Sequence, residues 1–470
     1  MSSAIVDAFA RQRRDHPHRP LIYVPASRAA LSAANIAEDA DRVAEALDAA
    51  ALEPERLILS AVGNVPLAFA VLLACRARGL ALLPVDRGTT EAEVAALAEQ
   101  FDAVAVISAD GTLAMPAHHT RATSYRGVAM LKLTSGSSGC ARATCTSESA
   151  LISDGRTVAA AMDIRSDDVQ IAAIPLSHSY GIGNLVMPLL LQGTAICLRD
   201  AFVPQRIPDD ARQFNARHLP GAPYMFDHLA THPPASGWPP SLTRLVSAGA
   251  PLEPDVAERF RGAFGVKIHP FYGTSETGGI AFDDADGPAA TGFVGRALPG
   301  VEISLRDEDD EGGGRVHVRS AAVSSGYAGR EDRDAFVDGG FLTTDLAAFD
   351  ANHGLVLRGR VSSFVNVAGR KVQPEEVERA LREFPGVVEA RVFGLEDRQR
   401  GERLVACLVL SGDHPSVLEL RSFCGRRLAA HKIPRAFVVL DRIPLTARGK
   451  VDRDRLRTLA AERIVADGVL

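Results

Sequence analysis

Lysine is scarce in this chain. Of 52 basic residues only five are lysine, at positions 132, 267, 371, 432 and 450, so arginine is the default cation and each lysine carries information. A broad basic field is missing too. The net charge is -6, which argues against a nucleic-acid partner. The six cysteines, at 75, 140, 145, 197, 407 and 424, form no CxxC pair and no metal-ligand spacing. They read as scattered core thiols of a protein kept in a reducing cytosol, and a cytoplasmic location is expected. No long hydrophobic run is present. The most apolar window, Val65 to Val85, is interrupted by Arg76 and Arg78, so a buried helix and strand are expected there and no membrane span. The first twenty residues turn polar too soon for a signal peptide.

What is present is a long alternation of helix and strand patterns. At 470 residues the chain exceeds one compact core. Strands are predicted around 58–64, 80–86, 103–108 and 128–133, with helices at 36–52 and 65–79 between the early ones. Thr90 and Glu93 have capping-box spacing, which opens a further helix. Strands follow at 168–176, 242–249 and 266–273. Such an order specifies an α/β fold with a mostly parallel, helix-covered sheet. From Gly292 the texture changes to short β segments with glycine-rich turns, and the run DEDDEGGG reads as a solvated hairpin tip. Beyond Arg360 a compact α+β unit begins, where Pro374 suits the first turn of a helix. The expected organisation is a large domain over 1–359 with a β-rich subdomain, then a small domain over 360–470.

Four motifs carry chemistry. Thr134, Ser135, Gly136, Ser137, Ser138 and Gly139 follow a predicted strand and precede a helix predicted from about Ser147. Small hydroxyl residues and glycines let backbone N–H groups approach phosphate oxygens. The string is not a Walker A loop, because no Gly-Lys-Ser/Thr follows. Next, Tyr272-Gly273-Thr274-Ser275-Glu276 follows a strand. A carboxylate among hydroxyls suits a Mg²⁺ already held by phosphate oxygens, though a solvated turn has the same composition. Third, Asp345 ends a Thr-Thr-Asp string, with Arg360 further on. An aspartate can accept both hydroxyls of a ribose, and an Asp–Arg pair at strand ends is the plainer alternative. Fourth, Lys450 lies in Thr446-Ala447-Arg448-Gly449-Lys450. A lysine on a glycine turn can be delivered to an α-phosphate as a carboxylate attacks it.

In this order, together with GFVGRALPGVE (292–302) and the stretch 359–378, these motifs resemble the adenylate-forming superfamily of acyl-CoA synthetases, adenylation domains and luciferases. The resemblance implies ATP, Mg²⁺ and a carboxylic acid as ligands. It implies that the Thr134–Gly139 loop and Arg142 face the phosphates, and that Tyr272, Gly273 and Thr274 border the nucleotide. Glu276 would ligate magnesium, with Asp345 and Arg360 at the ribose. Lys450, Thr274, Glu276 and His178 are the candidate catalytic residues. Gly369 would line the thiol path, and Ser362 would be the hinge of a mobile C-terminal lid. Three positions depart from the usual pattern: Ala141-Arg142 replaces Pro-Lys, Thr344 replaces a glycine, and Ser362 replaces Asp or Lys.

The segment Pro175 to Gly181 matches the family's acyl-pocket border, and His178 and Tyr180 stand where amino-acid-activating members carry an aspartate nearby. That favours an acid without an α-amine. By the same placement Tyr224, Ala248, Gly249 and Ala250 line the pocket. The expected reaction is acid activation to acyl-AMP followed by transfer to a thiol, with CoA as co-substrate. A stand-alone enzyme loading a separate carrier protein is the alternative, and a degenerate nucleotide-binding relative is a third reading.

Overall fold

A computed structural model describes residues 3–116, 123–134, 141–288, 290–309, 312–329, 335–361, 365–367, 370–372, 374–397, 401–412, 415–428, 432–446 and 451–466. The chain separates into two compact units. One holds residues 1–304, 317–343 and 349–356, and the other holds 305–316, 344–348 and 357–470.

The first unit carries two large sheets. Its site-bearing strands are β1 (Leu57–Ser60), β2 (Ala81–Pro84), β3 (Met130–Thr134), β4 (Arg142–Thr146), β5 (Arg244–Ser247), β6 (Ile268–Thr274) and β7 (Gly278–Phe282). The seven-stranded sheet runs Gly326–Tyr327, β4, β3, β2, β1, Ala105–Ile107, Leu113–Ala114. Its central members β3, β2, β1 and Ala105–Ile107 are parallel. These strands are almost uniformly apolar because helices cover the sheet, as parallel sheets require. The nine-stranded sheet places β5 and β6 beside strands His218–Gly221, Val169–Ala172, Ala195–Leu198 and Pro20–Val24, all parallel, and adds β7 antiparallel to β6.

Between the sheets lie α1 (Ala33–Ala49), α2 (Leu67–Ala77) and α3 (Glu148–Ala161). One hydrophobic cluster joins Ile58, Leu82 and Met130 from one sheet, Ile22, Ile196 and Leu198 from the other, and Ile36, Leu72 and Leu151 from the helices. Ser32 caps α1 and Ser147 caps α3, each accepting from a backbone N–H in the first turn. The capping box expected at Thr90 is present, with Glu93 as the reciprocal acceptor.

One local expectation is corrected. After the Ser/Gly loop the chain does not pass directly to a helix: it first forms β4, antiparallel to β3, with Thr134 opposite Arg142 and Lys132 opposite Thr144. The loop therefore joins two paired strands. The string RATCT is short and its alternation rests on two small residues, Ala143 and Cys145, so it merged with the loop when read from sequence.

In the second unit the strands Arg370–Val372, Val365–Val367, Gly401–Leu410 and Val387–Asp397 form a sheet, with Ala436–Val439 parallel to Gly401–Leu410. Helix α4 (Pro374–Arg382) begins at the expected proline, and its Val377 and Leu381 are fully buried against this sheet's core. Strands β8 (Phe341–Phe349) and β9 (Leu355–Arg360) are neighbours in a separate four-stranded sheet. Among the described residues no helix is long and apolar enough to cross a membrane.

Candidate active site

The turn between β6 and β7 is the centre of the candidate site. Thr274 pairs with Gly278, so Thr274 to Gly278 forms the tip of an antiparallel hairpin. Gly278 has φ +69, and a Cβ there would stand 2.3 Å from the Asp154 carboxylate, so glycine is required on both counts. The turn is stitched to the seven-stranded sheet. Thr144 Oγ1 donates to the Ser275 carbonyl at 3.3 Å, and Ser275 Oγ donates to the Leu133 carbonyl at 3.4 Å. The Ser324 N–H donates to the Glu276 carbonyl at 2.7 Å. Ser179 Oγ reaches Ser275 Oγ at 3.0 Å, and Thr274 Oγ1 lies 3.1 Å from Thr277 Oγ1. Glu276 Oε1 accepts from the Tyr327 hydroxyl at 2.7 Å, and the Arg142 guanidinium sits 4.1 Å above the Tyr327 ring.

Beneath this turn lie two buried charges. Lys132 is 2% exposed and Asp154 6%. Burial pulls the Lys132 ammonium below its ordinary value, against the attraction of Asp154 and Glu276. Burial pushes the Asp154 carboxyl up, against Lys132 and the Gly279 N–H that donates to its Oδ1 at 2.9 Å.

A second cluster gathers at the end of β2. Asp86 Oδ2 lies 2.9 Å from His178 Nε2, and Asp86 Oδ1 accepts from Ser177 Oγ. Asn64 holds the same segment, accepting from the Leu176 N–H at 2.8 Å and donating to the Ile174 carbonyl at 3.3 Å. His178 precedes a helical turn, Ser179–Gly181, that continues as a π-helix over Ile182–Val186, an irregularity common at functional sites. Tyr180 donates to the Val246 carbonyl at 2.8 Å and its ring lies 5.7 Å from that of Phe271. Burial drives its hydroxyl well above the ordinary tyrosine value. Ala248 and Tyr272 are buried, Gly249 has φ +87 with open space around it, and Ala250 is exposed. Tyr224 is 44% exposed and its ring meets Phe202 edge-on at 6.0 Å. The structure thus joins Tyr180 and Ala248 in one hydrophobic cluster and places Tyr224 against a different partner.

Asp345 on β8 and Arg360 on β9 form an ion pair, with Arg360 Nε donating to Asp345 Oδ1 at 2.6 Å. The aspartate side chain is 8% exposed and the arginine 55%, so the carboxylate is fixed by a guanidinium that itself faces solvent. Ser135, Gly136, Ser137, Ser138, Gly139, Ser362, Gly369 and Lys450 lie outside the described residues.

Two family models match this chain: AMP-binding enzyme over residues 9–127 and 119–328, and AMP-binding enzyme C-terminal domain over 376–450. The chain belongs to the AMP-binding enzymes. It is 27% identical over 479 residues to a feruloyl-CoA synthase of Amycolatopsis, covering 95% of this chain and 97% of that protein. It superposes on ATP-bound MatB from Rhodopseudomonas palustris with a TM-score of 0.84 at 25% identity, covering 97% of this chain and 98% of that one. The amide bond synthetase McbA from Marinactinospora thermotolerans matches with a TM-score of 0.78 at 26% identity, over 97% and 99% of the two chains.

Four residues of this AMP-binding enzyme's candidate site were not singled out by motif: Asp86, Lys132, Asp154 and Tyr327. Two had a signal. Lys132 is a lone charge in the apolar strand VAMLKL of a lysine-poor chain. Asp86 lies just past the carboxyl end of a parallel strand, where α/β sheets bind ligands. Asp154 and Tyr327 had none, because one is a polar position in a helix and the other ends a two-residue edge strand.

Proposed function

We propose that this AMP-binding enzyme activates a carboxylic acid with ATP and then passes the acyl group to the thiol of CoA. In the first step a carboxylate oxygen attacks the α-phosphorus, the bond to the β-phosphate oxygen breaks, and pyrophosphate leaves. In the second the sulfur attacks the acyl carbon, AMP departs, and the thiol proton goes to solvent or a nearby base. Neither step needs a protein nucleophile, so positioning and charge do the work. The observation that supports this reading most is the stitching of the 274–277 turn onto β3 and β4. The strands that flank the Ser/Gly loop also fix the turn bearing Glu276, so a phosphate chain and its metal would meet one rigid support.

The donor set fits a magnesium ion carried by phosphates. Among the described residues no group of three or more His, Cys, Asp or Glu could cage a metal. Glu276 presents one carboxylate, with Oε1 held by Tyr327 and hydroxyls of Thr274 and Thr277 close by. Such sparse protein ligation is what magnesium tolerates when substrate oxygens supply the rest. When bound, the ion would neutralise phosphate charge. Thr134 to Gly139 would cradle the phosphates, Asp345 the ribose and Lys450 the α-phosphate. Arg360 would hold Asp345 in place. Residues 360–470 would act as the lid, hinged at Ser362, with Gly369 on the thiol path.

His178 would border the acid. Asp86 fixes its ring through Nε2, so Asp86→Asn should lower kcat/KM for the acid by about 10-fold or more while leaving the KM for ATP within about twofold. Steady-state pyrophosphate release with each substrate varied separately checks this. An unchanged acid kcat/KM would remove His178 from the pocket.

The reading itself is tested by pyrophosphate release across aryl, short-chain, long-chain and amino acids, with and without CoA. Release that depends on one acid class and rises with CoA supports the CoA ligase. Release indifferent to CoA points to a carrier protein, or to an amine acceptor as in the amide bond synthetase. Silence with every acid, while ATP binds, overturns the reading.

A further inference from the structure

Three side chains stand in a row across three adjacent strands. Lys132 on β3 pairs with Thr144 on β4, and Thr144 pairs with Tyr327 on the edge strand. Directly paired residues of antiparallel strands point to the same face, so all three share one side of the sheet. The turn carrying Glu276 lies over that side. Tyr327 donates to the Glu276 carboxylate at 2.7 Å, and Thr144 donates to the Ser275 carbonyl at 3.3 Å. The third member of the row, Lys132, has Asp154 and Glu276 as its charged neighbours.

We infer that Lys132 is a positioning residue for Glu276, a buried cation that holds the carboxylate in place for the metal borne by the nucleotide. The inference rests on the reading of Glu276 as a magnesium ligand. It goes beyond that reading in giving this lysine, which none of the motifs contains, a part in metal binding.

The two carboxylates near Lys132 differ in their freedom to move. Asp154 has almost none. The Gly279 N–H holds it at 2.9 Å, and a Cβ at Gly183 or Gly278 would come within 2.8 or 2.3 Å of its carboxylate. Glu276 is held more lightly, by the Tyr327 hydroxyl on a half-buried turn. One ammonium shared by two carboxylates keeps both near it. Remove it, and the attraction that draws Glu276 toward the sheet is lost, whatever charge Asp154 carries. Asp154 stays where the Gly279 N–H holds it, but Glu276 is left with the Tyr327 hydroxyl and swings away, so the metal loses its ligand in the correct orientation.

A purely structural role makes a different forecast, and a double variant separates the two. Lys132→Met/Asp154→Asn deletes the charge pair together, so no lone buried charge remains to unfold the chain. ATP affinity is measured by titration calorimetry across MgCl2 concentrations, and again in EDTA. We expect the folded double variant to need about 10–100-fold more Mg²⁺ for half-maximal gain in ATP affinity, with the EDTA value unchanged. A wild-type Mg²⁺ requirement would overturn the inference and leave Lys132 as the counter-ion of Asp154 alone. Should that variant fail to fold, Lys132→Arg decides. It keeps the charge against Asp154 but carries it on a longer planar head, and we expect its Mg²⁺ requirement to rise about threefold or more. A folded Lys132→Arg with the wild-type requirement overturns the inference as well. Glu276→Gln in the otherwise unaltered enzyme tells the two readings apart. If it leaves the Mg²⁺ requirement unchanged, the assignment of Glu276 is what has failed.

Discussion

Lys450→Ala is expected to cut acyl-adenylate formation by about 10²–10³-fold, the usual effect of deleting one group aimed at charge developing in a transition state. ATP should still bind, because the residues proposed to hold phosphate and ribose are elsewhere in the chain. The second step should survive too. Acyl-AMP supplied from outside should still yield thioester with CoA, since no α-phosphate is attacked then. Pyrophosphate release, ATP calorimetry and thioester formation from synthetic acyl-AMP measure the three separately. The composition sharpens the case. A chain with five lysines among 52 basic residues has placed one of the five here. Three of the other lysines have a plain explanation in charge: Lys267 contacts Asp283 at 2.7 Å, Lys432 contacts both oxygens of Glu376 at 2.7 Å, and Lys132 is attracted by Asp154 and Glu276. A compact ammonium on a flexible stem differs from a planar guanidinium, so Lys450→Arg should also fall about 10-fold or more below the wild type. Full adenylation by the alanine variant would remove Lys450 from the chemistry, and loss of all three activities together would mean a damaged fold.

The elements that carry this chemistry were legible in the sequence to differing degrees, and the reasons are physical. Central parallel strands such as LILS and ALLP are buried on both faces, so their apolar runs stand out whatever surrounds them. The cap at Thr90 depends on a neighbour three residues away and was equally plain, whereas Ser147 was read only as the approximate start of a helix that it caps. Thr274 and Glu276 could be proposed from the sequence because the string that carries the family resemblance there is continuous in the chain. Lys132, Asp154 and Tyr327 could not be read as a group. They are brought to one place by a sheet register and a helix packing, and the burial of a charge is a tertiary fact with no local pattern. The Asp345–Arg360 pair shows the middle case. Its two partners sit on neighbouring strands, and the ion pair first set beside a ribose site is the contact that the fold makes.

Gly278→Ala tests the rigid core beneath the site, and its size can be isolated with a control. Gly265 has φ +72 and nothing within 4 Å of an added Cβ, so Gly265→Ala carries only the strain of a left-handed alanine, about 1 kcal/mol. Gly278 has nearly the same φ, +69, but its Cβ would meet Asp154 Oδ1 at 2.3 Å and Oδ2 at 2.9 Å. Relief requires the carboxylate to leave the Gly279 N–H and the neighbourhood of Lys132, with Gly183 blocking the other side. Disrupting one partner of a buried charge pair costs about 3 kcal/mol or more, so Gly278→Ala should destabilise by at least about 2 kcal/mol beyond the control. Chemical denaturation of both variants beside the parent chain measures the difference. It should be accompanied by a raised Mg²⁺ requirement for ATP binding in Gly278→Ala and by none in Gly265→Ala, because only the first displaces the carboxylate that shares its cation with Glu276. Equal losses in the two variants would mean that Asp154 moves freely, and the immobility on which the role of Lys132 depends would be gone.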